Sequence, residues 1–290
     1  MKIVFIFSVF MAFIFGLVSD DKPAYILYNA EGKEVKYSKM IDKLADADIV
    51  LFGEQHTNPI CHWLEYEVLN DLYQVKKDGL VVGAEMFETD NQLLLNEMLA
   101  GKYDSKKFEE EAKLWKNYQT DYKPLVEFCK TNKLPFIGTN IPRRYANMVF
   151  KGGFVVLDSL TPEAKSLIAD LPVPYDPELK CYKDMIEMGK EMGGHSNENF
   201  PKAQAIKDAT MAKFIMKNWQ KGKLFLHFEG AYHSDNYQGM VWYLKKINPD
   251  LKILTISSIE QKEINDLEKD NLNKADYIIV IPENMTQTSR

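Results

Sequence analysis

An α/β fold with a mainly parallel sheet is what this sequence predicts, and three observations predict it. Short apolar runs of strand length recur along the chain, among them DIVLFG (48–53), LVVGAEM (80–86) and ADYIIVI (275–281). Amphipathic stretches lie between most of them, and each parallel crossover needs such a helix. One long stretch, residues 142–221, carries no strand-like run and reads as a helical cap inserted over the sheet.

The elements follow in order. AYILY (24–28) is a short strand, and Tyr37 to Ala45 has a helical pattern before the buried strand 48–53. Pro59 opens a helix that runs to about Tyr73, because proline at the first turn loses no hydrogen bond. Strand 80–86 is followed by helical patterns near 89–99 and 105–117. Residues 122–133 form a helix with Pro124 in its first turn, and LPFIGTN (134–140) is the next strand. Within the insertion, helical patterns run 142–150, 161–170, 176–192 and 200–220, broken by LPVPYDP and GGHSNENFP. KLFLHFEG (223–230), a helix from Asn236 to Lys246, LKILTISS (251–258) and strand 275–281 close the chain.

The composition bounds the function. Of 290 residues, 46% are hydrophobic and 27% charged, which excludes a disordered chain too poor in apolar residues to offset ordering entropy. The formal net charge of −6 argues against a general nucleic-acid partner, since phosphate attraction requires a basic surface. Cys61, Cys129 and Cys181 are too sparse for a disulfide scaffold, and the first two read as small buried hydrophobes. Residues 1–19 have one early lysine, an apolar run from Ile3 to Val18 and a small-residue boundary, the pattern of a secretory signal peptide. An uncleaved anchor is the alternative. The expected product is a single domain over 20–290, exported to the periplasm, the envelope or the medium, with no lipid-accepting cysteine at the boundary.

Ligands of an open parallel sheet sit beyond the carboxyl ends of its strands. There the sequence places Glu54 and His56, Glu85, Asn140 followed by Arg143 and Arg144, and Glu229 followed by His233. Two of these ends share the form Gly-x-x-His, Gly53 to His56 and Gly230 to His233. A glycine lets the chain turn out of the strand, so that the histidine three residues on faces the sheet edge. Paired with Glu54, Glu85 or Glu229, His56 and His233 can hold a divalent metal ion with an open position for water. His62 shares a helical face with Glu65 and Tyr66 and reads as bonded to one of them. His227 reads as a core histidine, and His195 lies in a loop of the insertion. Arg143 and Arg144 suit a carboxylate or phosphate, held in bidentate fashion. Met185, Met188 and Met192 form a stripe at helical spacing, and Tyr145, Tyr175 and Tyr182 can offer a phenolate to ferric iron.

Five blocks of the chain, in order, resemble the ChaN-like haem-binding uptake family within the superfamily that includes the Tiki metalloproteases. They are FGEQHTNPICHWLEYEVL (52–69), LVVGAEMFETDNQLLLNEML (80–99), YKPLVEFCKTNKLPFIGTNIPRR (122–144), FPKAQAIKDATMAKFI (200–215) and FEGAYHSDNYQGMVWYL (228–244). The resemblance implies a parallel-sheet α/β fold, an iron-uptake context with membrane uptake machinery, and a pair of haems held between two protein copies with tyrosine on the iron. It carries His56 and His233 onto the superfamily's paired motif and Glu85 onto its strand-end acid. Asn140, Arg143, Gln204 and Asp208 fit the family pattern; no block carries the tyrosine. Two functions compete. One is a haem-binding protein with Arg143, Arg144 and one of Tyr145, Tyr175 and Tyr182 around the haem, Tyr145 first. The other is a metal-dependent hydrolase in which Glu54 or Glu85 is the general base.

Overall fold

The computed structural model describes residues 22–191 and 198–288, with the side chains of 188–191 excepted. The signal-peptide reading of residues 1–19, together with Met192, His195 and the side chain of Met188, lies outside the described residues.

Seven strands form one sheet: β1 (Ile26–Asn29), β2 (Ile49–Glu54), β3 (Leu80–Glu88), β4 (Phe136–Asn140), β5 (Leu224–Gly230), β6 (Ile253–Gln261) and β7 (Tyr277–Pro282). Their spatial order is β1-β7-β6-β2-β5-β3-β4. Only β1 runs antiparallel, against β7; every other pairing is parallel. The central strands are buried along their whole length, which explains their unbroken apolar character.

Alternation along β2 shows how the two faces are filled. Val50 and Phe52 point into one core, with α1 (Tyr37–Leu44), α2 (Pro59–Lys76), α3 (Gln92–Leu99) and α5 (Lys123–Asn132). Ile49 and Leu51 point into the other, with α6 (Arg143–Gly152), α9 (Asn199–Asn218) and α10 (Met240–Ile247). Residues 142–221 are therefore more than a cap. They supply most of the second helical layer, and the N-terminal half of α9 rises beside the strand ends.

Several predicted helices are shorter than their patterns. The helix over 105–117 stops as α4 (Ser105–Glu111), because Ala112 turns extended and Trp115 folds onto His56. One wide turn, Tyr118–Tyr122, then leads into α5. The pattern over 161–170 yields only α7 (Pro162–Lys165); Ala169 donates its N–H to Thr210 Oγ1 in α9 instead of continuing a helix. The pattern from Asp176 becomes helical only at Lys180, as α8 (Lys180–Glu191). Gly239, with φ of 52°, opens α10, and a side chain there would strike the His233 carbonyl oxygen at 2.4 Å.

Candidate functional site

The site begins with the register of two neighbouring strands. β2 and β5 pair in parallel with Glu54 opposite Gly230, so both Gly-x-x-His turns leave the sheet side by side. The ring of His56 lies against Gly230. A methyl group on Gly230 would sit 2.8 Å from His56 Nε2 and 3.5 Å from Glu85 Oε2. Glu85 reaches in from β3, accepts the Gly230 N–H at 2.8 Å and lies 3.2 Å from His233 Nε2. His56, Glu85 and His233, far apart in sequence, thus converge as expected.

The two histidines differ in their bonds. His56 has one ring partner: its Nδ1 faces Glu54 Oε1 at 2.6 Å, and no described residue bonds its Nε2. Tyr122 donates to the same Glu54 oxygen at 2.8 Å. His233 is held at both nitrogens, by Asp208 Oδ1 on Nδ1 at 2.5 Å and by Glu85 Oε1 on Nε2 at 3.2 Å, with the Gln204 amide over the ring. Burial opposes a charge on His233, but Glu85 and Asp208 outweigh it and push its pKa up to about 10. Burial also opposes the Glu85 carboxylate, yet the His233 imidazolium holds its pKa down to about 2. Asp208, which accepts from Tyr182 as well, is pushed upward by burial. His233 thus faces a carboxylate at each ring nitrogen, whereas His56 faces one. A metal shared by the two histidines would require His233 to give up one of these carboxylate contacts.

Behind Glu54 lies a second buried group. His62 Nδ1 sits 3.0 Å from Glu65 Oε2 and 3.4 Å from Glu54 Oε2, so its expected bond to Glu65 is present. Burial and the proximity of Glu65 push Glu54 well above the carboxylate range, and burial puts Glu65 at about 8. His62 thus supports His56 from beneath and does not line the cleft. Glu229 is likewise beneath the surface. It is fully buried, pushed upward by that burial, and bonded to His227 at 2.7 Å. His227, a core histidine as expected, also meets Thr139 at 2.7 Å, and burial lowers it to about 3.

Beyond the strand ends a cleft of about 460 Å³ opens between α6, α9 and the loop that carries Trp115. His56, Glu85, Asn140 and Gln204 form its polar floor. Trp115, Phe150 and Phe200 give it an aromatic wall, and Arg143 and Lys207 its cations. A second, more polar part shares His56, Glu85, Gln204 and Lys207 and extends to Tyr232 and His233.

The helical period decides which predicted residues of α6 reach this cleft. Arg143, Ala146, Asn147 and Phe150 share one face and line it. Arg144 and Tyr145 fall off that face. Arg144 pairs with Asp90 at 2.5 Å and lies over the Tyr145 ring at 4.4 Å. Tyr182 is fully buried and donates to Asp208 Oδ2 at 2.9 Å. Burial and Asp208 push its phenol far above the usual range. Tyr175 packs between Phe154 and Tyr182, and burial raises its pKa too. Met185 is buried beside Tyr182 and is no cleft wall. None of the three nominated tyrosines lines the cleft; Tyr232 is the tyrosine at its polar end.

Sequence reasoning missed Trp115, Phe150, Phe200 and Lys207. Phe200 and Lys207 stand within a quoted block, Lys207 beside Asp208. Trp115 had no signal, since it lies in a stretch with a helical pattern that folds otherwise.

Comparison with known proteins places this geometry. The family model described as haem-binding uptake, Tiki superfamily, ChaN matches residues 40–244. Among solved structures, ChaN of Campylobacter jejuni, described with cofacial haem binding, superposes with a TM-score of 0.67 at 17% identity; the match covers 89% of this chain and 96% of that one. An erythromycin esterase mutant, EreC in its open conformation, gives a TM-score of 0.53 at 10% identity, covering 91% and 98%. At such identities these two likenesses speak to the fold. No curated protein matches the sequence. With well over half of its length matched, this chain belongs to the haem-binding uptake family ChaN of the Tiki superfamily.

Proposed function

We propose that the chain binds haem in the cleft above the strand ends and serves haem or iron uptake or handling outside the cytoplasm. The observation that carries this reading is the make-up of the cleft. A porphyrin is flat and apolar with two carboxylates at one edge. It needs apolar walls, cations and an axial donor. Trp115, Phe150 and Phe200 would flank it, Arg143 and Lys207 would meet the propionates, and His56 would meet the iron. The Nδ1 of His56 is fixed by a buried carboxylate while Nε2 is unbonded, an arrangement typical of metal-ligating histidines. Bound haem would supply an iron atom to be stored, passed on or released to uptake machinery in the membrane. Phe150 and Phe200 are each 41% exposed, so the cleft mouth suits a second copy of the chain. The relative from Campylobacter jejuni, described as binding haem cofacially, supports a haem-bridged homodimer. Export rests on the pattern of residues 1–19.

Titration of the purified protein with haemin tests the reading. The expected result is a shifted Soret band that saturates at one haem per chain, with dimer formation on sedimentation. His56→Ala should change the band, and Tyr232→Phe should leave it alone. Absence of any shift would overturn the proposal.

A second reading has one observation in its favour. His56, oriented by Glu54, is arranged as a general base on water, with Lys207 as the cation for a developing oxyanion. Hydrolysis that survives chelation and haem removal but is lost in His56→Ala would support it.

A further inference from the structure

The buried group behind His56 has a chemistry that the cleft does not use. Glu54, Glu65 and His62 each offer one ligand atom, and these atoms lie within 4.8 Å of one another. Glu65 is fully buried, Glu54 nearly so, and their carboxyls stand within hydrogen-bonding reach of each other. Glu54 Oε2 and Glu65 Oε1 are buried and accept no well-formed hydrogen bond, the nearest N–H to Glu54 Oε2 being His62 Nδ1 at 3.4 Å. Among the described residues no lysine or arginine pairs with either, nor with the buried Asp121 next to them. Two buried carboxyls in contact either hold their protons or ionise around a cation that joins them.

His62 stands where it can complete a site for such a cation. Its Nδ1 faces the two carboxylates, while its Nε2 lies 3.3 Å from Asp121 Oδ2 and 3.2 Å from the His56 carbonyl oxygen. An imidazole that donates from one nitrogen to a carboxylate or carbonyl presents the lone pair of the other, the usual setting of a metal-bound histidine. One imidazole and two carboxylates are the donor set of zinc and manganese sites. We propose that Glu54, Glu65 and His62 bind a divalent transition-metal ion, zinc or manganese in class, at a buried site separate from the cleft.

The ion has a route that avoids the cleft. A groove lined by Pro59, His62, Trp63, Tyr66, Asp121 and Thr288 opens on the outer side of α2 and shares none of the lining residues of the cleft. It reaches His62 and Asp121 directly. The site also touches the cleft through Glu54, whose other oxygen holds His56. A bound ion would fix the Glu54 carboxyl and with it the direction of the His56 ring.

The experiment uses the full chain freed of haem and treated with a chelator. Zn²⁺, Mn²⁺ and, as a spectroscopic probe, Co²⁺ are added separately, and bound metal is counted after gel filtration. The expected result is one ion per chain, a Co²⁺ d–d absorption band, and a rise in Tm of about 5 °C or more at saturating metal. Glu65→Gln should abolish the rise and His233→Ala should retain it. Asp121→Asn, which keeps every direct ligand, should weaken binding by about ten- to a hundredfold, and it serves if Glu65→Gln does not fold. If the wild type takes up no metal and Glu65→Gln is as stable as the wild type, the carboxyls share a proton and the site does not exist. If the Tm rise survives Glu65→Gln but is lost in His233→Ala, the ion sits at the strand ends and the proposal is overturned.

Discussion

Gly53 to His56 and Gly230 to His233 are the same four-residue device, placed at the ends of two neighbouring parallel strands, yet they yield opposite chemistry. The His56 side chain is 28% exposed, has one carboxylate partner and keeps Nε2 unbonded. The His233 side chain is 5% exposed and faces a carboxylate at each nitrogen, which favours its charged form. The difference comes from α9, which lays Gln204 and Asp208 over His233, while only the edge of Trp115 covers His56. A motif sets where a histidine leaves the sheet; the layer above it sets whether that histidine is available or is part of the frame.

The comparison can be broken most sharply by truncating each histidine. His233→Ala leaves Glu85 and Asp208 buried without their cation and should cost about 3–5 kcal/mol of stability, read by urea unfolding. His56→Ala should cost under about 1 kcal/mol, because its ring is partly solvated. Equal losses would mean that the two turns are not different in kind.

The pH profile sharpens the same contrast. His233 is raised from 6.5 to about 10, so its contribution is complete below pH 6.5 and is lost as pH rises through 10. Glu85 is lowered from 4.5 to about 2, so its contribution is complete above pH 4.5 and is lost as pH falls through 2. Asp208, raised by burial, works against Glu85 on the acid side. Stability should therefore decline steadily between pH 6.5 and 10, and His233→Ala should flatten that limb. An unchanged limb in the variant would assign it to other groups.

Gly230→Ala has an effect between those of the two histidine truncations. The φ of Gly230 is −60°, which alanine adopts freely, so only the clash of the new methyl with the His56 ring matters. A cost of about 1–3 kcal/mol is expected, together with a displaced His56 and an altered haem spectrum. A wild-type spectrum would show that the contact does not set the His56 position.

Strands and the strand-end residues were legible in the sequence because both are local. An apolar run between turn residues is a strand in almost any context, and a parallel sheet gathers its carboxyl ends at one edge. The meeting of His56, Glu85 and His233 followed from that alone. The rest depends on packing that no local pattern encodes. Arg143 and Tyr145 are two residues apart, and only the helix face that meets the sheet separates the cleft-lining residue from the one outside it. Tyr182 looked like an iron ligand by position, but the buried Asp208 carboxylate has claimed its hydroxyl. Trp115 was read as helix and stands in a loop, because its contact with His56 outweighs local helical preference. The metal role inferred for Glu65 was invisible for the same reason: it depends on how α2 packs back against Glu54 at the end of β2.

The strand order carries a consequence for how the protein is made. β2 has two sheet neighbours, β5 and β6, and both come much later in the chain. Until Leu224 and the residues after it have emerged, the Ile-Val-Leu-Phe stretch of β2 stands with both edges unpaired, the condition in which strands aggregate. A chain released early could not assemble any part of the His56–His233 pair. A nascent chain with this strand order therefore has to be kept from sticking until nearly all of it is available, and the site at the strand ends is among the last parts of the molecule to form.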